Sequence, residues 1–236
     1  MFKFKSIGLA ALLAVTTSVP ALATTILYRN DFNVGTDQMA AALSALPSGF
    51  TITSTTSDLS GFTLGDFDIV IYANQNTSRP AGDGTALSAF LSGGGRLIYQ
   101  DWTLFDPVVS GLPGTFTGNA NQTTITLSLF DAGITNPVAL TNPGWGTFST
   151  GLLAGPGATV AGTFGNGEAA ILVSADQRVI WNGFLTDTAA VAGQVLYTNQ
   201  ILALTGGTDV PEPASLALFA AGLLALGAAA RQRRSV

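Results

Sequence analysis

The chain has 236 residues, no Cys, no His and a formal net charge of −5. Without Cys there is no disulfide framework, thiolate nucleophile or Cys-type zinc site, and without His there is neither the usual general base nor the commonest metal ligand. The charges are also segregated. From Thr24 to Asp209 four arginines (Arg29, Arg79, Arg96, Arg178) face thirteen acids, a net charge of −9 that argues against a nucleic-acid partner and against anionic lipid surfaces.

The N-terminus opens with Lys3 and Lys5, runs through the apolar stretch Ile7 to Val15 and reaches Ala21-Leu22-Ala23. A basic start, a short apolar run and a small-x-small site spell a secretory signal peptide over residues 1–23. Cleavage by a signal peptidase after Ala23 is expected to leave Thr24 as the mature N-terminus.

The segment from Thr25 to Tyr28 reads as a first strand ending in Asn30-Asp31. Met39, Leu43 and Leu46 fall at helical spacing, and Pro47 with Gly49 stops that helix. Phe50 to Ser54 alternates like a strand, and Phe67 to Tyr72 reads as a buried strand followed by Asn74-Gln75-Asn76. Asp66 and Asp68 flank its start. Leu87, Phe90 and Leu91 share a helical face between Thr85 and Leu91, and Gly93-Gly94-Gly95 ends that helix. This triple glycine follows a helix and precedes a strand, the reverse of a phosphate-cradling loop. Arg96 to Tyr99 is the next strand, ending in Gln100-Asp101-Trp102.

The expected architecture is therefore α/β, a mainly parallel, doubly wound sheet. Residues 103–167 change character, being rich in Gly, Thr and Asn, and read as a β-rich insertion with a clear strand near Thr123 to Leu129. Ala169 to Val173 and Arg178 to Trp181 read as a hairpin across Ala175-Asp176-Gln177. A last helix, capped by Asp187, is expected to reach Leu204 with Val191, Val195 and Leu202 inward. The exported domain thus spans 24–205, with a linker at 206–213.

The C-terminus sets Pro211-Glu212-Pro213 before the 17-residue apolar run Ala214 to Ala230, then Arg231, Arg233 and Arg234 in the tail 231–236. As a helix the run measures roughly 25 Å, at the lower limit for a membrane span, and the arginines would stay cytoplasmic. Motif, span and basic tail in this order resemble the PEP-CTERM sorting signal. The resemblance implies transient anchoring in the inner membrane of a Gram-negative cell, cutting near the motif by an exosortase-type membrane protease, and passage to the surface or extracellular matrix. A plain single-pass anchor is the alternative.

Phe67 to Ile71, Gly93-Gly94-Gly95-Arg96-Leu97-Ile98 and Val179 to Phe184 together resemble the class I glutamine-amidotransferase-like fold, a relative of flavodoxin-like sheets. Active members carry a Cys nucleophile after a strand, with a His and an acid elsewhere. This chain has neither Cys nor His, so the resemblance implies the fold without its hydrolytic chemistry.

What chemistry remains lies after the strands. In a parallel sheet Asn30, Asp31, Asn74, Asn76, Gln100, Asp101 and Trp102 gather at one edge, where α/β proteins bind ligands. Amides, carboxylates and an exposed indole suit sugar hydroxyls and sugar faces, for example of an exopolysaccharide. The plainer reading is that Asn and Asp begin turns and cap helices. A glycosidase would need two carboxylates facing across a cleft, with Asp31, Asp101 and Asp106 the candidates. No cofactor or metal site is expected, and the expected role is a non-catalytic exported surface or matrix protein.

Overall fold

The computed structural model describes residues 23–31, 36–75, 78–103, 109–119, 121–140, 149–185 and 192–206. Strands β1 (Thr24–Asn30), β2 (Phe50–Thr55), β3 (Ile69–Asn74), β4 (Arg96–Asp101) and β11 (Val179–Asn182) form a parallel array in the order β2-β1-β3-β4-β11. This is the order of flavodoxin-like sheets, with the reversal of winding between β1 and β3.

The sheet does not stop there. The segment read as an insertion supplies β5 (Gly114–Asn119), β6 (Thr124–Leu127), β7 (Val138–Ala139), β8 (Thr150–Ala154) and β9 (Thr159–Phe164). With β10 (Ala169–Val173), all of them pair antiparallel, and they extend the sheet through β10 on the flank of β11. The expectation of a mainly parallel sheet is corrected accordingly. Only the β2-to-β11 half is parallel, because strands joined by short turns, such as β10 and β11 across Ala175-Asp176-Gln177, can only return antiparallel.

Helices α1 (Gln38–Ser44) and α3 (Gly193–Leu204) pack side by side on one face, and α2 (Ala81–Ser92) covers the other. Period-two alternation divides each strand between the two cores. Ile26, Tyr28, Ile69, Ile71, Ile98 and Ile180 join Met39, Leu43, Leu196 and Ile201. Leu27, Val70, Tyr72, Leu97, Tyr99 and Trp181 join Leu87 and Phe90.

One boundary and one helix face differ from the sequence reading. Helix α2 starts at Ala81, ahead of Thr85, although Ala-Gly-Asp-Gly is a poor helix opening. Tertiary bonds hold it: buried Asp83 accepts from Leu59 N and from the Tyr72 hydroxyl, both at 2.8 Å. The inward face of α3 is Leu196, Tyr197, Gln200, Ile201 and Leu204, whereas Val195 is exposed and Leu202 only half-buried. The helix is therefore rotated from the expected face. Asp187 and Val191 lie outside the described residues. The triple glycine ends α2 as expected: Gly94 has φ +95°, and a Cβ on Gly95 would run into the Phe90 ring.

Candidate functional site

The carboxyl ends of β1, β3 and β4 lie side by side, in the register Asn30↔Ala73 and Asn74↔Asp101. Alternation then sends their side chains to both faces of the sheet, making two polar clusters where one convergent crevice was expected.

On the α2 face, Arg29 is 2 % exposed. It donates to Asn74 Oδ1 (2.9 Å), Ala73 O (3.2 Å) and Ser57 O (3.3 Å), lies 3.7 Å from Asp31 and stacks over the Tyr72 ring at 4.8 Å. Asn74 passes the chain on, its amide nitrogen donating to Asp101 Oδ1 at 2.9 Å and to Thr103 Oγ1 at 3.1 Å. The other Asp101 oxygen accepts from the Tyr99 hydroxyl (2.8 Å) and from Arg79 (3.3 Å), and Arg79 also donates to the Tyr99 oxygen at 2.6 Å. Burial, reinforced by the nearby carboxylates Asp83 and Asp101, pushes the Tyr72 and Tyr99 phenols well above the usual tyrosine range. Burial opposes the charge of Arg79, but Tyr99 and Asp101 outweigh it and hold the guanidinium charged.

On the opposite face, Asp37 caps α1 through Ala40 N at 2.9 Å and accepts from the Tyr28 hydroxyl (2.8 Å) and from Asn30 Nδ2 (3.0 Å). Asn30 Oδ1 takes Gln75 Nε2 at 2.8 Å, and Asp31 accepts from Gln75 N at 2.7 Å. Gln100 donates to the Tyr197 hydroxyl at 3.1 Å, and its Oε1 has no hydrogen-bond partner among the described residues. Asn182 and Gln200 pair amide to amide at 2.9 and 2.8 Å.

Asn74 and Asp101 are thus brought into contact, as are Asn30 and Asp31 with Gln75. Asn30 and Gln100 face away from Asn74 and Asp101. Trp102 is 37 % exposed and donates its backbone N–H to Asn74 O at 3.1 Å. Asn76 and Asp106 lie outside the described residues. Asp68 sits at the opposite edge, tying β1 to β3 through Thr25 N at 2.8 Å. A groove of about 610 Å³ opens between α1 and β2, lined by Tyr28, Asn30, Asp37, Leu43, Ile52 and Ser54 among others. Among the described residues no three of Asp and Glu come together as a metal cage.

Sequence reading missed Arg29, Arg79, Asp83 and Tyr99. The signal was present for Arg29: a body with four bases places one inside an apolar strand, which demands buried acceptors.

Among the described residues no carboxylate at this edge stands alone. Asp31 lies beside a guanidinium and a backbone N–H, and Asp101 is engaged through both oxygens. The arrangement locks the strand ends together and presents Trp102 beside them.

Comparison with known families locates the chain's address at its other end. Residues 209–234 match the PEP-CTERM protein-sorting motif. The PEP-CTERM signal implies export, a C-terminus anchored in the membrane before processing, and an exosortase as the processing enzyme. The apolar run within it lies outside the described residues, among which no helix is long and apolar enough to cross a membrane. No curated protein matches the sequence.

Among solved structures, the body is similar to a protein assigned as a GMP synthase component from Thermoplasma acidophilum (10 % identity, 80 % of this chain and 98 % of that one, TM-score 0.56). It is also similar to the mmIFT52 N-terminal domain (13 % identity, 78 % and 99 %, TM-score 0.56). A ThuA-like protein from Bacteroides uniformis is a third (10 % identity, 77 % and 91 %, TM-score 0.50). At these identities the likeness is one of fold: the neighbours have amidotransferase-like and ThuA-like α/β folds, in line with the class I glutamine-amidotransferase-like fold that the sequence resembles.

Proposed function

We propose that this PEP-CTERM protein is a non-catalytic component of the cell surface or extracellular matrix, cut near Pro211-Glu212-Pro213 by an exosortase after signal peptidase removes residues 1–23. The observation that carries the non-catalytic reading is the state of the strand-end edge. There Asp101 is held between Arg79, Tyr99, Asn74 and Thr103, and Asp31 beside Arg29 and Gln75 N. Both described carboxylates at this edge serve as acceptors in the network that ties the strand ends together, which supports a structural role for them. Incubating the exported protein with neutral and acidic polysaccharides tests this. The expected result is no release of reducing ends, and release above a heat-denatured control contradicts it.

A second reading is favoured by Trp102, whose half-exposed ring stands next to the polar strand ends. In that reading the same edge is a carbohydrate-binding site, with the indole stacking on a sugar face. The net charge of −9 over Thr24 to Asp209 selects a neutral or basic glycan.

A further inference from the structure

The folded body meets both ends of its chain at one edge. Thr24 opens β1 and donates to Gly49 O at 2.8 Å, on the side of the sheet where β2, β3, β4 and β11 also begin. Helix α3 returns to that same side. Its Gln200 pairs with Asn182 at the end of β11, and its Leu204 shares a cavity with Gln177, in the turn before β11 starts. Seven residues, 207–213, then separate Gly206 from the apolar run that begins at Ala214. Fully extended, seven residues reach roughly 25 Å. The six residues of β3 alone set the strand-end edge about 20 Å further off, before the loops at either end are counted. So short a tether cannot turn the body over.

The charges mark the same edge. Of the four arginines between Thr24 and Asp209, Arg29 and Arg79 are buried at the strand ends. The two at the surface are Arg96, the first residue of β4, and Arg178, just before β11. Arg178 is paired with Asp176 at 2.7 Å, whereas the Arg96 guanidinium makes no ion pair or hydrogen bond among the described residues. Arg96 lines a groove of about 620 Å³ with Phe62, Phe67 and the triple glycine. Asp66, Asp68 and Asp176 oppose these two bases, so the edge is nearly neutral on a body that carries −9. An anionic lipid surface repels this edge least.

We propose that in the anchored precursor the body stands with its strand-start edge against an anionic phospholipid surface, Arg96 meeting the lipid phosphates, and with Trp102 and the strand-end edge turned away. The orientation rests on the PEP-CTERM anchor and goes beyond it, because it assigns the two edges of the sheet to different surroundings. A strand-end ligand would then be met on the side away from the membrane while the chain is still anchored.

The absence of Cys makes the test clean, since an introduced thiol is the only one present. Ser48→Cys, Ser92→Cys and Ala175→Cys label exposed positions at the strand-start edge, and Thr36→Cys and Ser57→Cys label exposed positions at the strand-end edge. Each precursor, purified with its C-terminus intact, carries a fluorophore on the thiol and is reconstituted into phosphatidylethanolamine–phosphatidylglycerol vesicles that contain headgroup-spin-labelled lipid. The expected result is quenching several-fold stronger at the three strand-start positions than at the other two. Arg96→Glu should lower the quenching at Ser92→Cys in these vesicles and leave it unchanged in phosphatidylcholine vesicles. An alkaline carbonate wash separates the two claims: a chain stripped from the vesicles overturns the anchor and the orientation together. An anchored chain quenched equally at both edges, or more at Thr36→Cys and Ser57→Cys, overturns the orientation alone, and Arg96→Glu without effect in the anionic vesicles overturns the phosphate contact.

Discussion

Arg29 donates to Asn74 Oδ1 at 2.9 Å across the β1–β3 boundary, at the point where the winding of the sheet reverses. A guanidinium there costs several kcal/mol to desolvate unless its donors are met, and Asn74 meets one of them while passing a second bond to Asp101. One amide therefore couples the ends of three strands. Asn74→Ala breaks that coupling and leaves Arg29 and Asp101 each short of a partner. It should destabilise the fold by about 2–4 kcal/mol, read as a lower urea midpoint at unchanged slope.

The chain has no His, so its stability should be nearly flat between about pH 6 and 9. Above that range the sign is set by Tyr72 and Tyr99, whose folded pKa values lie above the ordinary value near 10. The stabilisation is complete below the unfolded pKa. Above it, the unfolded chain releases both protons while the native chain keeps them, so stability falls as pH rises. Two groups give a loss of about 2.7 kcal/mol per pH unit above roughly pH 10. Urea titrations at several alkaline pH values measure the slope, and Tyr72→Phe should halve it.

Leu97 is fully buried in β4, between β3 and β11, among Val70, Leu87 and Val179. Leu97→Ala should cost about 2–5 kcal/mol in chemical denaturation. Leu153, 62 % exposed on β8, should tolerate the same change within about 0.5 kcal/mol.

The parallel half of the fold was legible because β3 and β4 are continuous apolar runs separated by a helix with a glycine stop. The antiparallel half was legible only as β-rich. Its pairings, such as β6 with β9, join residues far apart in sequence, and no local pattern fixes which strand lies beside which. At the candidate site, the strand ends were legible as a shared edge. Their division between two faces follows from alternation, which places Gln100 and Asp101 on opposite sides although they are adjacent. The α3 face differs because Tyr197 and Gln200 are buried by bonds to Gln100 and Asn182, while the apolar Val195, expected inward, is exposed.

The carbohydrate reading rests on one ring. Trp102→Ala removes the exposed indole but leaves the backbone bond to Asn74, so the variant should fold like wild type by circular dichroism. Loss of binding to a neutral oligosaccharide that wild type retains is the expected outcome. Equal binding by both proteins, or none by either, removes the strand-end edge as a sugar site and leaves the structural role.

The most direct measurement is the intact mass of the protein recovered from the surface or culture medium of the cells that make it. The expected species is a polypeptide that starts at Thr24 and ends near Pro211-Glu212-Pro213, without Ala214 to Val236. A mature protein that still carries Arg231, Arg233 and Arg234 would contradict exosortase processing and make the C-terminus a plain membrane anchor.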